Sequence, residues 1–93
     1  MRYEVVFSKK AYKQIQKIKK SNPQSFLQIA NVLKRAVLND NPREIGKALS
    51  GSDLWRYRAG DFRILVKIQD ENLIIKALKI AHRNEVYKNL DSI

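Results

Sequence analysis

Two stretches of this chain carry side chains able to act on a phosphodiester. The first is Leu54-Trp55-Arg56-Tyr57-Arg58-Ala59-Gly60-Asp61-Phe62-Arg63-Ile64, and the second is His82-Arg83-Asn84-Glu85-Val86-Tyr87. Arg56 and Arg58 are two apart, so on a strand their side chains leave the same face. Arg63 follows the hairpin signal Ala59-Gly60-Asp61. Turn geometry decides whether it joins that face. Guanidiniums gathered in one spot repel unless an anion or a carboxylate sits among them. A phosphate fits, because the planar fork of arginine donates two parallel hydrogen bonds to it. The alternative is a solvated sheet face, with Asp53, Asp61 or Glu85 pairing to these arginines.

The second stretch adds an imidazole and a phenol. Histidine is the side chain that changes charge nearest neutrality. Guanidiniums around a phenol stabilise its charged form, which suits Tyr87 to the role of general base. RNA supplies its own nucleophile, the 2′-hydroxyl. A base for that proton, cations on the non-bridging oxygens and help for the leaving 5′-oxygen are enough to break the chain, without a metal or other cofactor. The alternative makes His82 a strand-end surface residue and Tyr87 a lid on the core. One histidine cannot form a two-histidine acid–base pair or a multi-histidine metal site. The nine acids are scattered, so no carboxylate cluster for a two-metal nuclease is expected. Such an enzyme relies on charge and positioning, and is slow on free RNA unless something else holds the substrate.

The elements that must position these residues follow from periodicity. Residues 2–7 read as a strand. Ser8 is an N-cap for a helix over Lys9–Lys20, with Ala11, Tyr12, Ile15 and Ile18 on its apolar stripe. Its other face carries Lys9, Lys10, Lys13, Lys17, Lys19 and Lys20 with no acid, either a solvated face or a phosphate footprint. Pro23 opens a second helix to Leu38, and so short a connection makes an antiparallel helical hairpin. Residues 43–52 read as a loop. Strands are expected over 53–59, 61–69 and 72–81. Trp55 and Tyr57 alternate with the arginines and should face the core. The last strand is apolar on both faces, Leu73, Ile75 and Ala77 against Ile74, Leu78 and Ile80, which suggests a central position. Asn84–Leu90 forms a short helix or an irregular tail. The expected fold is α+β, in the order β-α-α-β-β-β(-α). An N-terminal strand and helical hairpin pack on a mainly antiparallel four-stranded sheet.

Ninety-three residues make a single domain, 1–93. Nineteen Lys and Arg against nine Asp and Glu leave a net charge of +10, a self-repulsion best tolerated with an anionic partner. Absence of cysteine excludes disulfides and thiolate chemistry, and fits a reducing compartment. No apolar run approaches the roughly 20 residues of a membrane span, and the opening residues are too polar for a signal peptide. A cytoplasmic protein without a membrane partner is expected.

The two arginine-bearing strings, in this order and spacing, resemble the RelE branch of the RelE/ParE toxin superfamily over nearly the whole chain. The first string resembles that family's central hairpin and the second its C-terminal signature. The resemblance implies a ribosome-dependent endoribonuclease that cuts mRNA in the ribosomal A site, against rRNA, leaving a cyclic phosphate and a 5′-hydroxyl. It also implies an acidic cognate antitoxin in a hetero-oligomeric complex. By position, Tyr87 is implied as the base, Arg83 as the group stabilising developing charge, and Arg63 as a phosphate-binding arginine of the catalytic set. Arg56, Arg58 and His82 are assigned to phosphate and RNA binding. Arg56 and Arg58 stand where some relatives have lysines, which keeps charge but removes an easily deprotonated amine. Two other functions remain open: a non-catalytic DNA gyrase poison like the ParE branch, or a plain basic RNA-binding protein.

Overall fold

A computed structural model describes residues 3–88. Strand β1 (Glu4–Phe7) leads to helices α1 (Lys9–Ser21) and α2 (Pro23–Leu38). A 3-10 turn at Pro42–Ile45 follows, then strands β2 (Lys47–Ala48), β3 (Trp55–Ala59), β4 (Phe62–Gln69) and β5 (Ile74–His82). The α+β expectation holds, with five strands instead of four. The extra strand is β2, in the segment expected to be loop. Its two residues pair with β3, Lys47 opposite Arg56 and Ala48 opposite Trp55. Two residues are too short to leave any periodic trace in sequence.

The helices begin and end where their capping residues stand. The Ser8 hydroxyl accepts from the Ala11 amide at 3.1 Å. Asn22 ends α1, and its side chain caps α2 by accepting from the Ser25 amide at 3.2 Å. Ala11, Ile15 and Ile18 of α1 and Ile29, Val32, Leu33 and Ala36 of α2 bury against one face of the sheet. Tyr12, expected on that stripe, is 55% exposed. It lies one helical step away from the line through Ala11, Ile15 and Ile18.

The sheet order is β1-β5-β4-β3-β2, with β1 parallel to β5 and the other pairs antiparallel. Strand β5 is therefore internal, as expected. Its two-faced apolar pattern has a different cause from simple alternation. Leu65 pairs with Lys79 but Val66 pairs with Ala77, so Leu78 is an extra residue in a bulge. The bulge reverses which residues face the helices. Ile75 and Ala77 face them before it, and Ile80 and His82 after it. Lys79 and Ala81 turn to the outer face, which the helices leave uncovered. Tyr57, Ile64 and Val66 fill the core, as the alternation of β3 and β4 requires.

The segment expected as helix or tail over Asn84–Leu90 extends beyond the described residues. As far as Lys88 it is a hydrogen-bonded turn. The amides of Glu85 and Val86 donate to the His82 carbonyl at 2.8 and 3.0 Å, and that of Lys88 to the Glu85 carbonyl at 3.0 Å.

Candidate active site

Strand register settles which arginines meet. Arg58 lies directly opposite Arg63, and Arg56 opposite Leu65. Residues paired in this way share a face. All three guanidiniums therefore leave the outer face, and Lys47 joins them beside Arg56 from β2. Arg63 is anchored by one nitrogen, which donates to the carbonyls of Gly60 at 2.7 Å and Phe62 at 2.9 Å. Burial lowers the pKa of this guanidinium, and the charges of Arg58, Arg56 and Arg83 lower it further, while Tyr87 opposes them. The charges of three other arginines thus reach Arg63 through space. Among the described residues, none of the four forms a salt bridge. Asp53 pairs with Lys67 at 3.6 Å and Glu85 with Lys88 at 3.4 Å. Of the cross-strand carboxylates considered from sequence, Asp53 and Glu85 are thus engaged elsewhere, and Asp61 forms no salt bridge with these arginines among the described residues.

The C-terminal turn brings the phenol to the same face. Arg56 donates to the Tyr87 hydroxyl oxygen at 2.8 Å, across 31 residues of sequence. Tyr87 is 38% exposed, so it rims the site and does not seal the core. The Arg83 amide donates to the Asp61 carbonyl at 2.8 Å, which fixes the start of the turn beside the β3–β4 hairpin. Val86 is fully buried, and so is Leu65 on the outer face of β4. Neither belongs to the main core cluster. The turn therefore has its own apolar anchor on the outer face.

A cleft of about 470 Å³ opens between the Glu44–Lys47 segment and Arg56, Arg58 and Arg63. Its wall presses against β3 at Gly46. A Cβ there would stand 2.4 Å from the Arg56 carbonyl oxygen and 2.7 Å from the Tyr57 ring. The Tyr57 hydroxyl donates to the Pro42 carbonyl at 2.9 Å, and burial pushes this phenol up to about 12. Arg43 forks onto Asp70 at 2.8 and 3.0 Å, and the Tyr3 hydroxyl donates to the same carboxylate at 2.7 Å. Those bonds hold the Asp70 carboxyl below its ordinary range and raise the Tyr3 phenol above its own. The cleft wall is thus tied both to the core and to the β4–β5 turn.

His82 is the sequence-derived candidate that the fold separates from the others. It pairs with Phe62 and so faces the helix side. Its ring meets that of Phe62 edge-on, with centroids 5.9 Å apart, and its Nδ1 accepts from the Asn84 amide at 3.2 Å. The bulge at Leu78 is the cause, because unbroken alternation would have placed it with the arginines. His82 is thus a strand-end residue packed on Phe62, on the opposite face from the arginines it was grouped with. Lys47 and Glu44 escaped the sequence reading because nothing in a ten-residue irregular stretch fixes which side chains turn inward. Among the described residues, no group of three or more metal-ligating side chains comes together.

The cluster presents guanidiniums, an ammonium and the Glu44 carboxylate around an open cleft, with the Tyr87 phenol bonded to Arg56 beside it. It can grip two or more oxygens of a phosphodiester and hold a phenolic oxygen beside them. Residues 5–87 match the family model for the ParE toxin of the type II toxin–antitoxin system parDE. A protein designated RelE1 from Methanocaldococcus jannaschii is 31% identical over 90 residues, covering 96% of this chain and 99% of that one. A RelE-like protein from Escherichia coli is 36% identical over 92 residues, covering 94% of this chain and 92% of its own. Among solved structures, the toxin–antitoxin complex RelBE2 from Mycobacterium tuberculosis superposes with a TM-score of 0.68 at 28% identity, covering 89% of this chain and 93% of that chain. The chain belongs to the RelE/ParE superfamily of type II toxin–antitoxin toxins, on its RelE branch.

Proposed function

We propose that this toxin is a metal-independent endoribonuclease that cuts mRNA held in the ribosomal A site. The observation that carries the reading is the hydrogen bond from Arg56 to the Tyr87 oxygen, which puts the one exposed phenol of the outer face among arginines that form no salt bridge among the described residues. Arg56, Arg58 and Arg63 bind the non-bridging oxygens of the scissile phosphate. Tyr87, as phenolate, takes the 2′-hydroxyl proton. The freed oxygen attacks phosphorus, and the bond to the 5′-oxygen breaks. Arg83 stabilises the charge on the departing oxygen, which takes a proton from solvent. The products are a 2′,3′-cyclic phosphate and a 5′-hydroxyl.

Arg56 strengthens its bond to Tyr87 when that oxygen is charged. Fixed cations around the phosphate require no reorganisation during reaction. The site relies on charge and positioning, so it depends on the ribosome to fold the mRNA into the in-line geometry. The partner in the resting state is an acidic antitoxin, whose charge offsets the net +10 of the chain. Such a toxin works in the cytoplasm, and no helix among the described residues is long and apolar enough to cross a membrane.

The matching family model carries the ParE designation, so the second reading is the ParE-like one given by the sequence resemblance, a gyrase poison without catalysis. Primer extension on mRNA in a purified translation system separates the two. Discrete 5′-hydroxyl ends within A-site codons support the ribonuclease. Intact mRNA, with inhibition of purified gyrase by the same preparation, supports the poison.

A further inference from the structure

Lys79 is the one lysine of the described residues that is buried, at 7% exposure. The bulge at Leu78 turns it to the outer face, opposite Leu65. No carboxylate forms a salt bridge with it among the described residues. Its ammonium donates to the carbonyl of Lys88, the residue after Tyr87. Burial lowers its pKa, the charge of Lys10 lowers it further, and Glu85 partly opposes both. Burying a charge is costly unless its hydrogen bonds are made, so this lysine sits against its own solvation preference. A methionine or leucine would fill the same space without that cost. What the ammonium adds is a bond to the end of the turn, in the way a basic side chain closes the last carbonyls of a helix.

We propose that Lys79 is a positioning residue of the active site: by holding the Lys88 carbonyl it fixes the 83–88 turn so that Tyr87 meets Arg56. The turn is pinned at three places. The Arg83 amide holds its start on Asp61, buried Val86 anchors its middle, and Lys79 holds its end. Tyr87 lies between the second and the third. Losing the third leaves the phenol, among the described residues, held from the Val86 side alone, where its contact with Arg56 is no longer enforced. Lys79 touches neither phosphate nor phenol in this role, and acts only through the backbone of the turn.

The cleavage half of this inference rests on the ribonuclease reading, and the structural half does not. The test uses the full chain as Lys79→Met, which keeps the length and packing of the stem, and as Lys79→Arg, which keeps a donor at its end. Amide hydrogen exchange is read at Glu85, Val86 and Lys88, whose hydrogen-bonded amides report the turn. The expected result for Lys79→Met is at least tenfold loss of protection at those amides, with β4 and β5 unchanged. On programmed ribosomes its kcat falls at least tenfold with KM within twofold of the wild type. Lys79→Arg restores both. Wild-type protection of the turn in Lys79→Met overturns the proposal. So does loss of protection throughout β4 and β5, which makes Lys79 a general stability element, and so does a raised KM at unchanged kcat. If the wild type cuts no mRNA, the ribonuclease reading fails and the exchange data alone decide the role of Lys79.

Discussion

At the scale of single residues, the outer-face site is a place where stability is set against function. Arg58 and Arg63 face each other directly across an antiparallel pair. Like charges in that position are destabilising, and no carboxylate among the described residues forms a salt bridge with either. Arg58→Gln should therefore raise the unfolding free energy by about 0.5 kcal/mol, read from urea denaturation at low salt. The same variant should bind RNA more weakly. A variant that loses stability would show that Arg58 has a structural partner, and the anion-binding reading of this face would lose its main support. Tyr87 differs in kind, because its oxygen is held by Arg56 at 2.8 Å but its ring stays open to solvent. A residue placed in that way contributes little to the core.

Among the elements, the cleft wall at 42–47 is a short 3-10 turn leading into a two-residue strand, and it packs closely on β3 at Gly46. Gly46→Ala puts a methyl group 2.4 Å from a backbone oxygen that cannot move without shifting β3. Overpacking of this kind costs about 1–3 kcal/mol, so thermal melting should fall clearly while Gly51→Ala, open to solvent though at positive φ, tests backbone strain without crowding. The ties from Arg43 and Tyr3 to Asp70 make the wall sensitive to acid. The folded-state pKa of Asp70 lies below its unfolded value of about 3.9. Its contribution is therefore complete above that value and is lost as pH falls through the lower, folded one. Wild type should melt above Asp70→Asn at pH 7, and the two should converge near pH 2. Equal melting at pH 7 would mean the ties are idle. The helices, their caps and four of the five strands were legible in sequence because each rests on local signals, such as Ser8, Asn22 and Pro23 and the alternation through β3 and β4. The arginine face was half legible. Alternation paired Arg56 with Arg58, but only the hairpin register added Arg63. Lys79 and His82 were illegible, since one extra residue at Leu78 exchanged their faces and nothing in the sequence marks that position. Strand β2 and its Lys47 were missed because two residues carry no period.

For the whole molecule, charge and topology act together. A net charge of +10 is divided between the lysine face of α1, on the helix layer, and the arginine face of the sheet. Binding to single-stranded RNA should weaken steeply with salt. Each phosphate-contacting arginine replaced should flatten the slope of log affinity against log salt by about 0.7, as fluorescence anisotropy can show for Arg56→Gln and Arg63→Gln. An unchanged slope in both would move the RNA contact to the α1 lysines. The fold brings residues 56, 63 and 87 to one face through a hairpin, a central strand and a terminal turn, and that convergence is the basis of the proposed chemistry. Its most direct test is single-turnover cleavage on programmed ribosomes, using mRNA with the scissile 2′-hydroxyl present or replaced by hydrogen, with wild type and Tyr87→Phe. The account predicts cutting only by wild type on the hydroxyl substrate, with the other three combinations slower by about 100-fold or more. Equal rates for Tyr87→Phe and wild type, or cutting of the deoxy substrate, would contradict it.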